Sequence, residues 1–326
     1  MNNKEIAERI VERMLESINS GGKLPWVKPW GICKNKQIID GYTEVSITPK
    51  YWNRYGKPYS GINVMMMSIC GKEGEYITFN QCRKEGGKVR KGAKSLPVVY
   101  WNMKRIETEE LDEDGKKIMK VIPILRCYNV FHISDCEGLK QKHDPKPVIV
   151  KYPIYHYEPV AGELELVPDA ESIIADYLRR ANTLKLNRDL YSDRAFYSPA
   201  KDSVTVPMSK QFSDIAEYYS TMFHELGHST GHSSRLNRQI MNSFGNEKYS
   251  REELVAEITA ASILCTLGLE SGNTFRNSTA YVKSWSEHIK NDPMMFVTAS
   301  SRAEKAINLI MGIDTIKAEE EEEQVA

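Results

Sequence analysis

The stretch F-H-E-L-G-H-S-T-G-H occupies residues 223–232 and decides how the rest of the chain is interpreted. His224 and His228 are four residues apart, so on a helix both imidazoles leave the same face. That spacing suits two nitrogen ligands of one zinc ion, with Glu225 beside the metal as general base. The alternative is a surface helix whose histidines interact with its C-terminal dipole. A third ligand within reach in the sequence favours the metal site.

Two histidines leave a catalytic zinc ion one protein ligand short. The segment R-E-E-L-V-A-E-I-T-A-A, residues 251–261, offers Glu252, Glu253 and Glu257. Glu253 and Glu257 lie one helical turn apart, so both can face the metal, although exposed helix charges would show the same spacing. His232 is the rival third ligand, but eight residues along one helix would carry it ~12 Å away. Only a sharp turn in the chain would bring it back.

Such a site would hydrolyse a carbonyl compound, and a protein or peptide is the expected substrate. Zinc would polarise the scissile carbonyl and lower the pKa of its bound water, and Glu225 would carry the proton to the leaving amine. The oxyanion needs a further donor; Tyr249 is the nearest tyrosine after the ligand helix, and the sequence does not select it. Residues 203–206 are expected to be extended, either as an edge strand that pairs with a peptide or as a core strand.

The composition is that of a globular protein, and the length suggests two domains. Of the 326 residues, 41% are hydrophobic and 27% are charged. The zero net charge hides an asymmetry, because residues 1–150 carry 26 Lys and Arg against 18 Asp and Glu, whereas the remainder carries 18 against 26. Only the basic half is therefore expected to meet a polyanion.

The cysteines and the N-terminal residues predict a cytoplasmic protein. The six cysteines include no C-x-x-C pair, which favours free thiols in a reducing compartment over disulfides or a cysteine-ligated zinc site. The residues M-N-N-K-E begin an amphipathic segment rather than a signal peptide, and the longest apolar run is far too short to cross a bilayer. We expect no membrane partner.

Hydrophobic periodicity predicts an α+β protein. Residues 96–103 and 118–130 alternate as two strands should, and the segment between them contains the turn sequence D-E-D-G. Prolines make residues 141–160 the expected linker. The expected units are an α+β domain in residues 1–140, that linker, a mainly helical domain with the metal site in residues 161–317, and an acidic disordered tail in residues 318–326.

The basic half interleaves aromatic and cationic residues, as single-stranded nucleic-acid sites do, because bases stack on rings while phosphates pair with cations. In residues 83–94, R-K-E-G-G-K-V-R-K-G-A-K, glycines among the cations let the backbone approach phosphate closely. The candidate contacts to single-stranded DNA are Trp26, Trp30, Trp52, Arg54, Lys57, Arg83, Lys88, Arg90, Lys91 and Lys94. The alternative is that the tryptophans are core residues and the lysines are merely solvated.

Both halves resemble one family, the ArdC-type antirestriction proteins. Similarity to the N-terminal single-stranded-DNA-binding domain of that family is carried by P-W-V-K-P-W, G-K-P-Y-S-G-I-N, G-G-K-V-R-K-G-A-K, P-V-V-Y-W and Y-N-V-F. Similarity to the zincin-like metallopeptidase domain that follows is carried by H-E-L-G-H-S-T-G-H-S-S-R-L-N-R and E-E-L-V-A-E-I. The resemblance implies a protein of a mobile element that protects incoming DNA from host restriction.

The same resemblance chooses among the acidic residues. In glutamate-type zincins, a ligand glutamate on a second helix is followed four positions on by an acidic residue that orients a ligand histidine. The resemblance therefore implies Glu253 as the third zinc ligand and Glu257 as the orienting residue.

Two functions from different classes fit these observations. The first is a zinc metallopeptidase tethered to single-stranded DNA. The second is a non-catalytic protein that shields single-stranded DNA and keeps a structural or vestigial metal site. The intact Glu225 favours the enzyme, because a structural site has no use for a general base.

Overall fold

The computed structural model describes residues 3–19, 31–111, 117–155, 164–238, 247–269 and 289–313. Its helices are α1 Asn3–Asn19, α2 Gly61–Cys70, α3 Phe79–Lys84, α4 Pro168–Ala181, α5 Ile215–Ser229, α6 Glu247–Leu267 and α7 Pro293–Met311. Its strands are β1 Gly31–Ile39, β2 Tyr42–Pro49, β3 Tyr51–Asn53, β4 Gly74–Thr78, β5 Lys88–Val89, β6 Leu96–Leu111, β7 Lys117–His132, β8 Cys136–Glu137, β9 Val148–Pro153, β10 Lys185–Asn187, β11 Phe196–Ser198 and β12 Ser203–Thr205. The expected tail at residues 318–326 lies outside the described residues.

A four-stranded sheet of order β3-β4-β7-β6 forms the frame of the N-terminal half. Its long antiparallel pair, β6 and β7, runs from Leu96 opposite Val130 to Glu107 opposite Met119. Both strands predicted from the alternating pattern are thus confirmed, while the turn predicted between them falls outside the described residues. The end of the pair near Leu96 and Val130 packs in a core with Val64 of α2, so this end of the sheet is covered by a helix.

A buried asparagine completes the outer edge of this sheet. Asn63 of α2 is 6% exposed and faces β6, which is an edge strand of the sheet. Its side-chain amide donates a hydrogen bond to the carbonyl of Val99 at 2.8 Å, and its side-chain carbonyl accepts one from the N–H of Val99 at 2.7 Å. Asn63 therefore takes the place of a neighbouring strand for two backbone groups that burial would otherwise leave unpaired.

A second sheet, of order β1-β2-β9, joins the two halves of the sequence. β9 comes from the segment expected to be a linker, and it pairs with β2 from Tyr42 opposite Pro153 to Ile47 opposite Val148. The alternation of β2 buries Val45 and Ile47, which share a core with helices of the C-terminal half. Pro153 lies on β9, an edge strand of this sheet, where its missing N–H is tolerated.

The N-terminal helix also belongs to a core that spans both halves. α1 buries Ile6, Ile10 and Met14, which are spaced as on one helical face. They pack in one cluster with residues of α6 and α7, among them Val255 and Phe296. The relative position of the two halves is therefore set by packing as well as by the connecting chain.

The C-terminal half is mainly helical, with a small sheet of order β10-β12-β11. β12 lies between a parallel partner, β10, and an antiparallel partner, β11. The core-strand alternative for residues 203–206 is therefore correct and the edge-strand alternative is wrong. Val204 and Val206 are 0% exposed, which agrees with that position. The predicted α+β fold class is confirmed. Among the described helices, none is long and apolar enough to cross a membrane.

We predict that Asn63→Ala destabilises the protein by about 1–3 kcal/mol, because it leaves the N–H and C=O of Val99 buried without partners. Chemical denaturation followed by circular dichroism measures the change. Asn129→Ala is the matched control, since Asn129 is an exposed asparagine on β7; it should stay within about 0.5 kcal/mol of wild type. Equal stability of the two variants would show that the edge of β6 does not depend on Asn63.

Candidate metal centre and nucleic-acid surface

α5 carries the H-E-x-x-H motif. The helix begins after Asp214, whose side chain accepts a hydrogen bond from the backbone N–H of Glu217 at 2.8 Å, a favourable N-cap. One face of α5 is buried in the core and includes Phe223, which is 0% exposed. His224 and His228 leave the helix together, with ring centroids 4.8 Å apart, as their spacing predicts.

A glycine inside the motif lets α6 approach α5. A Cβ at Gly227 would lie 3.2 Å from the Cα of Ala256 and 3.4 Å from the Cβ of Thr259, closer than packed helices normally tolerate. Because Gly227 has no side chain, the backbones of the two helices come close at this point. The close approach brings the acidic turn of α6 that includes Glu253 beside the two histidines.

Three side chains converge on one point. The Nε2 atoms of His224 and His228 are 3.1 Å apart. One carboxylate oxygen of Glu253 lies 3.4 Å from Nε2 of His224, and the other lies 3.4 Å from Nε2 of His228. One ligand atom from each of the three residues lies within 4.8 Å of the others. Two imidazoles and a carboxylate form a donor set that divalent metal ions accept, so the residues present fit such an ion.

The outward nitrogens of both histidines also face carboxylates. Nδ1 of His224 lies 3.5 Å from Glu257, the residue expected to orient a ligand, and Nδ1 of His228 lies 3.6 Å from Glu252. Arg238 in turn donates to both oxygens of Glu252, at 3.0 and 2.6 Å. Sequence reasoning did not give Glu252 this role, because its partner Arg238 lies on the segment after α5, where no local pattern joins the two.

The electrostatics of the cluster favour positive charge between the carboxylates. Burial alone would lower the pKa of His224, but hydrogen bonds to Glu253 and Glu257 outweigh it and raise the pKa to about 10. Burial would raise the pKa of Glu253, but hydrogen bonds from His224 and His228 hold it well below its ordinary value. The field that holds protons on the imidazoles would also stabilise a metal cation, and uptake of the cation would release those protons.

Glu225 lies beside this cluster and is itself buried. It is 8% exposed, and burial raises the pKa of its carboxyl group although the two neighbouring histidines oppose the shift. The backbone of Tyr197 in β11 lies close enough to the Glu225 carboxylate to lower its pKa. β11 forms its sheet hydrogen bonds with β12 along one edge. The contact with Glu225 therefore lies on the other, outer edge of β11.

A buried ion pair fixes the chain beyond α5 to the small sheet. Arg235 donates to both oxygens of Asp202, at 3.0 Å for one of them, and its Nε donates to the carbonyl of Ser229 at 2.8 Å. Asp202 also accepts from the hydroxyl of Tyr197 at 2.9 Å. The network therefore holds β11, which lies against Glu225, in a fixed relation to the end of the motif helix.

The sequence offered two other candidates for this site, His232 and Tyr249. α5 ends at Ser229, and Nδ1 of His232 lies 2.8 Å from the hydroxyl of Ser234. His232 does not belong to the group of metal-ligating side chains found in the described residues. The side chain of Tyr249 lies outside what the structure describes.

Two of the expected DNA contacts are wrong. Trp52 is 7% exposed, and its indole N–H donates to the carbonyl of His143 at 2.9 Å, so the ring is a core residue. Arg54 is 6% exposed and pairs with Glu75 and with both oxygens of Glu85. Burial and these two carboxylate partners keep the guanidinium away from a phosphate at the surface. Both side chains are buried rather than exposed, and the composition of the segment alone does not predict this.

The remaining candidates are accessible wherever the structure describes them. Lys57 is half-buried, whereas the candidate cations in residues 83–94 are exposed, namely Arg83, Lys88, Arg90, Lys91 and Lys94, as is their neighbour Lys84. Trp26 and Trp30 lie outside the described residues. The structure therefore leaves residues 83–94 as a solvent-facing basic segment, defined here as the basic segment.

One exposed aromatic face was missed by sequence reasoning. On the sheet face covered by α2 near Leu96, the side chains become exposed further along the strands. Tyr100 and Tyr128 are 40% and 48% exposed, with ring centroids 6.0 Å apart. Arg126 is directly opposite Tyr100 and is exposed on the same face. We call Tyr100, Arg126 and Tyr128 the aromatic face.

Comparison with known proteins gives a separate family match for each half of the chain. Residues 4–131 match the family described as the N-terminal domain of anti-restriction factor ArdC. Residues 174–302 match the zincin-like metallopeptidase family. The metal-free crystal structure of antirestriction protein ArdC from plasmid R388 is similar over 93% of this chain and 96% of its own, with 28% identity and a TM-score of 0.58. The chain thus resembles ArdC along nearly its whole length.

The Mn(II)-bound structure of the same ArdC protein gives a TM-score of 0.60 and 27% identity over 94% of this chain and 97% of that one. The zincin-like domain implies a divalent metal ion. Two DNA primases TraC of Escherichia coli are 30% and 29% identical over 97% and 99% of this chain. This chain spans only 20% and 28% of the length of those two relatives.

We predict that Asp202→Asn lowers the stability at pH 7 by about 3–5 kcal/mol, because it leaves Arg235 buried without a counter-charge. Burial would raise the pKa of Asp202, but hydrogen bonds from Arg235 and Thr183 hold it well below its ordinary value. The stabilisation is therefore fully present above the unfolded value of about 3.9 and is lost as the pH falls through the folded value.

Denaturant titrations from pH 7 down to pH 3 measure this difference. The difference in the free energy of unfolding between wild type and Asp202→Asn should narrow below about pH 4. Asp193→Asn is the control, because Asp193 is exposed, and it should change stability by less than about 0.5 kcal/mol. A gap that stays constant over the whole pH range would contradict the assigned role.

Proposed function

We propose that this chain is a zinc-dependent peptidase that binds single-stranded DNA, with the DNA on residues 1–140 and the metal on residues 161–317. The observation that carries the enzymatic part is the convergence of His224, His228 and Glu253. Three protein ligands leave a tetrahedral ion one position for water or substrate, which is the arrangement of catalytic rather than structural zinc sites.

The metal ligands, Glu225 and the two outer glutamates have different roles in the proposed hydrolysis. A divalent cation held by the three ligands supplies polarisation of a carbonyl group and a lowered pKa for a water molecule. The carboxylate of Glu225 accepts a proton from that water and returns it to the leaving amine. Glu252 and Glu257 face the Nδ1 atoms of the histidines and would keep each Nε2 turned toward the point where the ion would bind.

The raised pKa of Glu225 supports its role as the base. Burial destabilises its charged form, and a base whose pKa is closer to neutral pH both accepts and returns a proton efficiently. This also favours the enzyme over a purely DNA-shielding protein, because burying a carboxylate that binds no ion is costly without a catalytic use. The outer edge of β11 lies beside Glu225, and we propose it as the place where an extended peptide pairs.

The first test concerns the metal. We predict that His224→Ala/His228→Ala removes the bound zinc, because it removes two of the three ligands. His232→Ala should retain a full equivalent, since His232 bonds to Ser234. Metal content measured by mass spectrometry after dialysis separates the variants. Glu225→Gln should keep the zinc and abolish cleavage of any protein that the wild type cleaves. Unchanged zinc in the double variant, or near wild-type cleavage by Glu225→Gln, would refute the respective assignment.

The DNA-binding part rests on exposure and charge. The basic segment presents six exposed cations, and the aromatic face presents two exposed tyrosine rings beside Arg126. Exposed rings accept stacked bases without sequence preference, while cations follow the phosphates. Both features belong to the half whose net charge is positive. We propose that a single strand contacts both.

Salt dependence separates the two contributions. A site that neutralises about four to six phosphates should give a log–log salt slope of roughly −3 to −4 for a single strand. Arg90→Gln/Lys91→Gln/Lys94→Gln should flatten that slope. Tyr128→Ala should cost ~1–3 kcal/mol at an unchanged slope, and Tyr128→Phe should restore binding, because stacking requires only the ring.

Fluorescence anisotropy of a labelled oligothymidine with the full-length chain measures both quantities. Tyr191→Ala is the control, because Tyr191 is a 75% exposed tyrosine in the acidic half. Binding that does not depend on salt, or that Tyr191→Ala weakens as much as Tyr128→Ala does, would contradict the proposed surface.

A further inference from the structure

A basic cavity lies behind the metal centre, in the half of the chain whose net charge is negative. It has a volume of about 660 Å³, and its charged lining consists of Arg235, Arg238, Arg251, Arg302, Lys305 and Glu252. Five cations thus share one concave surface with a single carboxylate, and like charges gathered in this way repel each other.

Ion pairs neutralise some of these cations but not all. Arg235 pairs with Asp202, Arg238 pairs with Glu252, and Arg251 pairs with Asp292. Within the part of the chain that the structure describes, Arg302 and Lys305 have no carboxylate within ion-pair distance. Both are exposed on α7, three residues apart, so their side chains leave the same face of the helix.

Arg251 borders the cavity with part of its guanidinium group. Its side chain is 39% exposed, and Nη2 donates to Asp292 at 2.6 Å. The Nε atom is buried and has no hydrogen-bond partner among the described residues; because it is closed off from solvent, it does not itself face the cavity. The exposed part of the side chain can therefore face an anion in the cavity.

We propose that this cavity binds a phosphate group through Arg251, Arg302 and Lys305. A guanidinium fork and an ammonium group reach several oxygens of one phosphate from different directions, which is how proteins hold this anion. The volume exceeds what a phosphate ion needs, so the rest of a phosphate-bearing molecule also has room. This site is separate from the metal ligands and from the basic segment.

The position of the cavity favours a nucleic-acid backbone as the source of the phosphate. On α7, Ser301 and Glu304 flank its two unpaired cations and contact the start of α2 in the N-terminal half. There a Cβ on Gly61 would lie 3.4 Å from the carboxylate of Glu304 and 3.9 Å from the Cα of Ser301. The helix that carries the two cavity cations therefore borders the proposed DNA-binding half.

The location also gives the site a connection to the metal centre. Arg238 lines the cavity and holds Glu252, which faces Nδ1 of His228. A phosphate in the cavity adds negative charge beside Arg238, and this competes with Glu252 for the same guanidinium. Phosphate binding would therefore affect Glu252, which contacts the metal ligand His228.

The test uses the metal-free full-length chain, so that phosphate cannot bind to the metal ion instead. Isothermal titration calorimetry with inorganic phosphate should show saturable binding, and Arg302→Gln/Lys305→Gln should weaken it at least tenfold. Lys185→Gln/Lys201→Gln is the matched control, because it removes two exposed cations from the same half outside the cavity. No saturable binding, or equal weakening by both variants, overturns the proposal.

A second arm identifies the source and rests on the proposed single-strand binding. If the phosphate belongs to DNA, Arg302→Gln/Lys305→Gln should lower the affinity for oligothymidine, and inorganic phosphate should compete with the oligonucleotide. If the ligand is free phosphate, the variant should lose phosphate binding alone. Both results support a phosphate site. Because the first arm measures neither DNA binding nor hydrolysis, its failure leaves the proposed function intact, and a failure to bind DNA leaves the phosphate site intact.

Discussion

The close approach of α5 and α6 at Gly227 is the constraint on which the metal centre depends. A methyl group at this position would press on the backbone of Ala256 at 3.2 Å, and helices that separate to relieve it would carry Glu253 away from the histidines. Imidazole and carboxylate ligands tolerate only a few tenths of an ångström around a metal ion. The glycine therefore costs some helix propensity, about 1 kcal/mol relative to alanine, and in return fixes the distance between two ligand-bearing helices.

That close contact concentrates negative charge, and the surrounding network compensates for it. Glu252, Glu253 and Glu257 lie within ion-pair distance of two imidazoles. Buried carboxylates without partners would be strongly destabilising. Arg238 supplies a permanent positive charge to Glu252 and also donates to the carbonyl of Gly227 at 2.9 Å. The same side chain thus neutralises the acidic helix and binds the motif helix where the two touch.

Local patterns predicted the parts of the site that lie on one helix, and a family resemblance supplied the choice between adjacent glutamates. The four-residue spacing of the motif and the alternation of β6 and β7 depend only on neighbours in the chain. The orienting role of Glu252, the burial of Trp52 and Arg54, and the strand β9 within an expected linker depend on partners far away in sequence. For Arg54, Glu75 and Glu85 decide the outcome, and composition cannot distinguish a cation with such partners from one that faces water.

The shared cores explain how events in one half can reach the other. α6 turns Glu253 toward the histidines and, on its other side, buries Val255 and Ile258 in the cluster that contains α1 and α2. A displacement of α2 by DNA bound to the N-terminal half would therefore act on the helix that carries a metal ligand. Packed cores respond to such displacements as units, because their side chains leave few voids to absorb the change. Coupling between the halves therefore does not need a flexible linker, because both halves pack against α6.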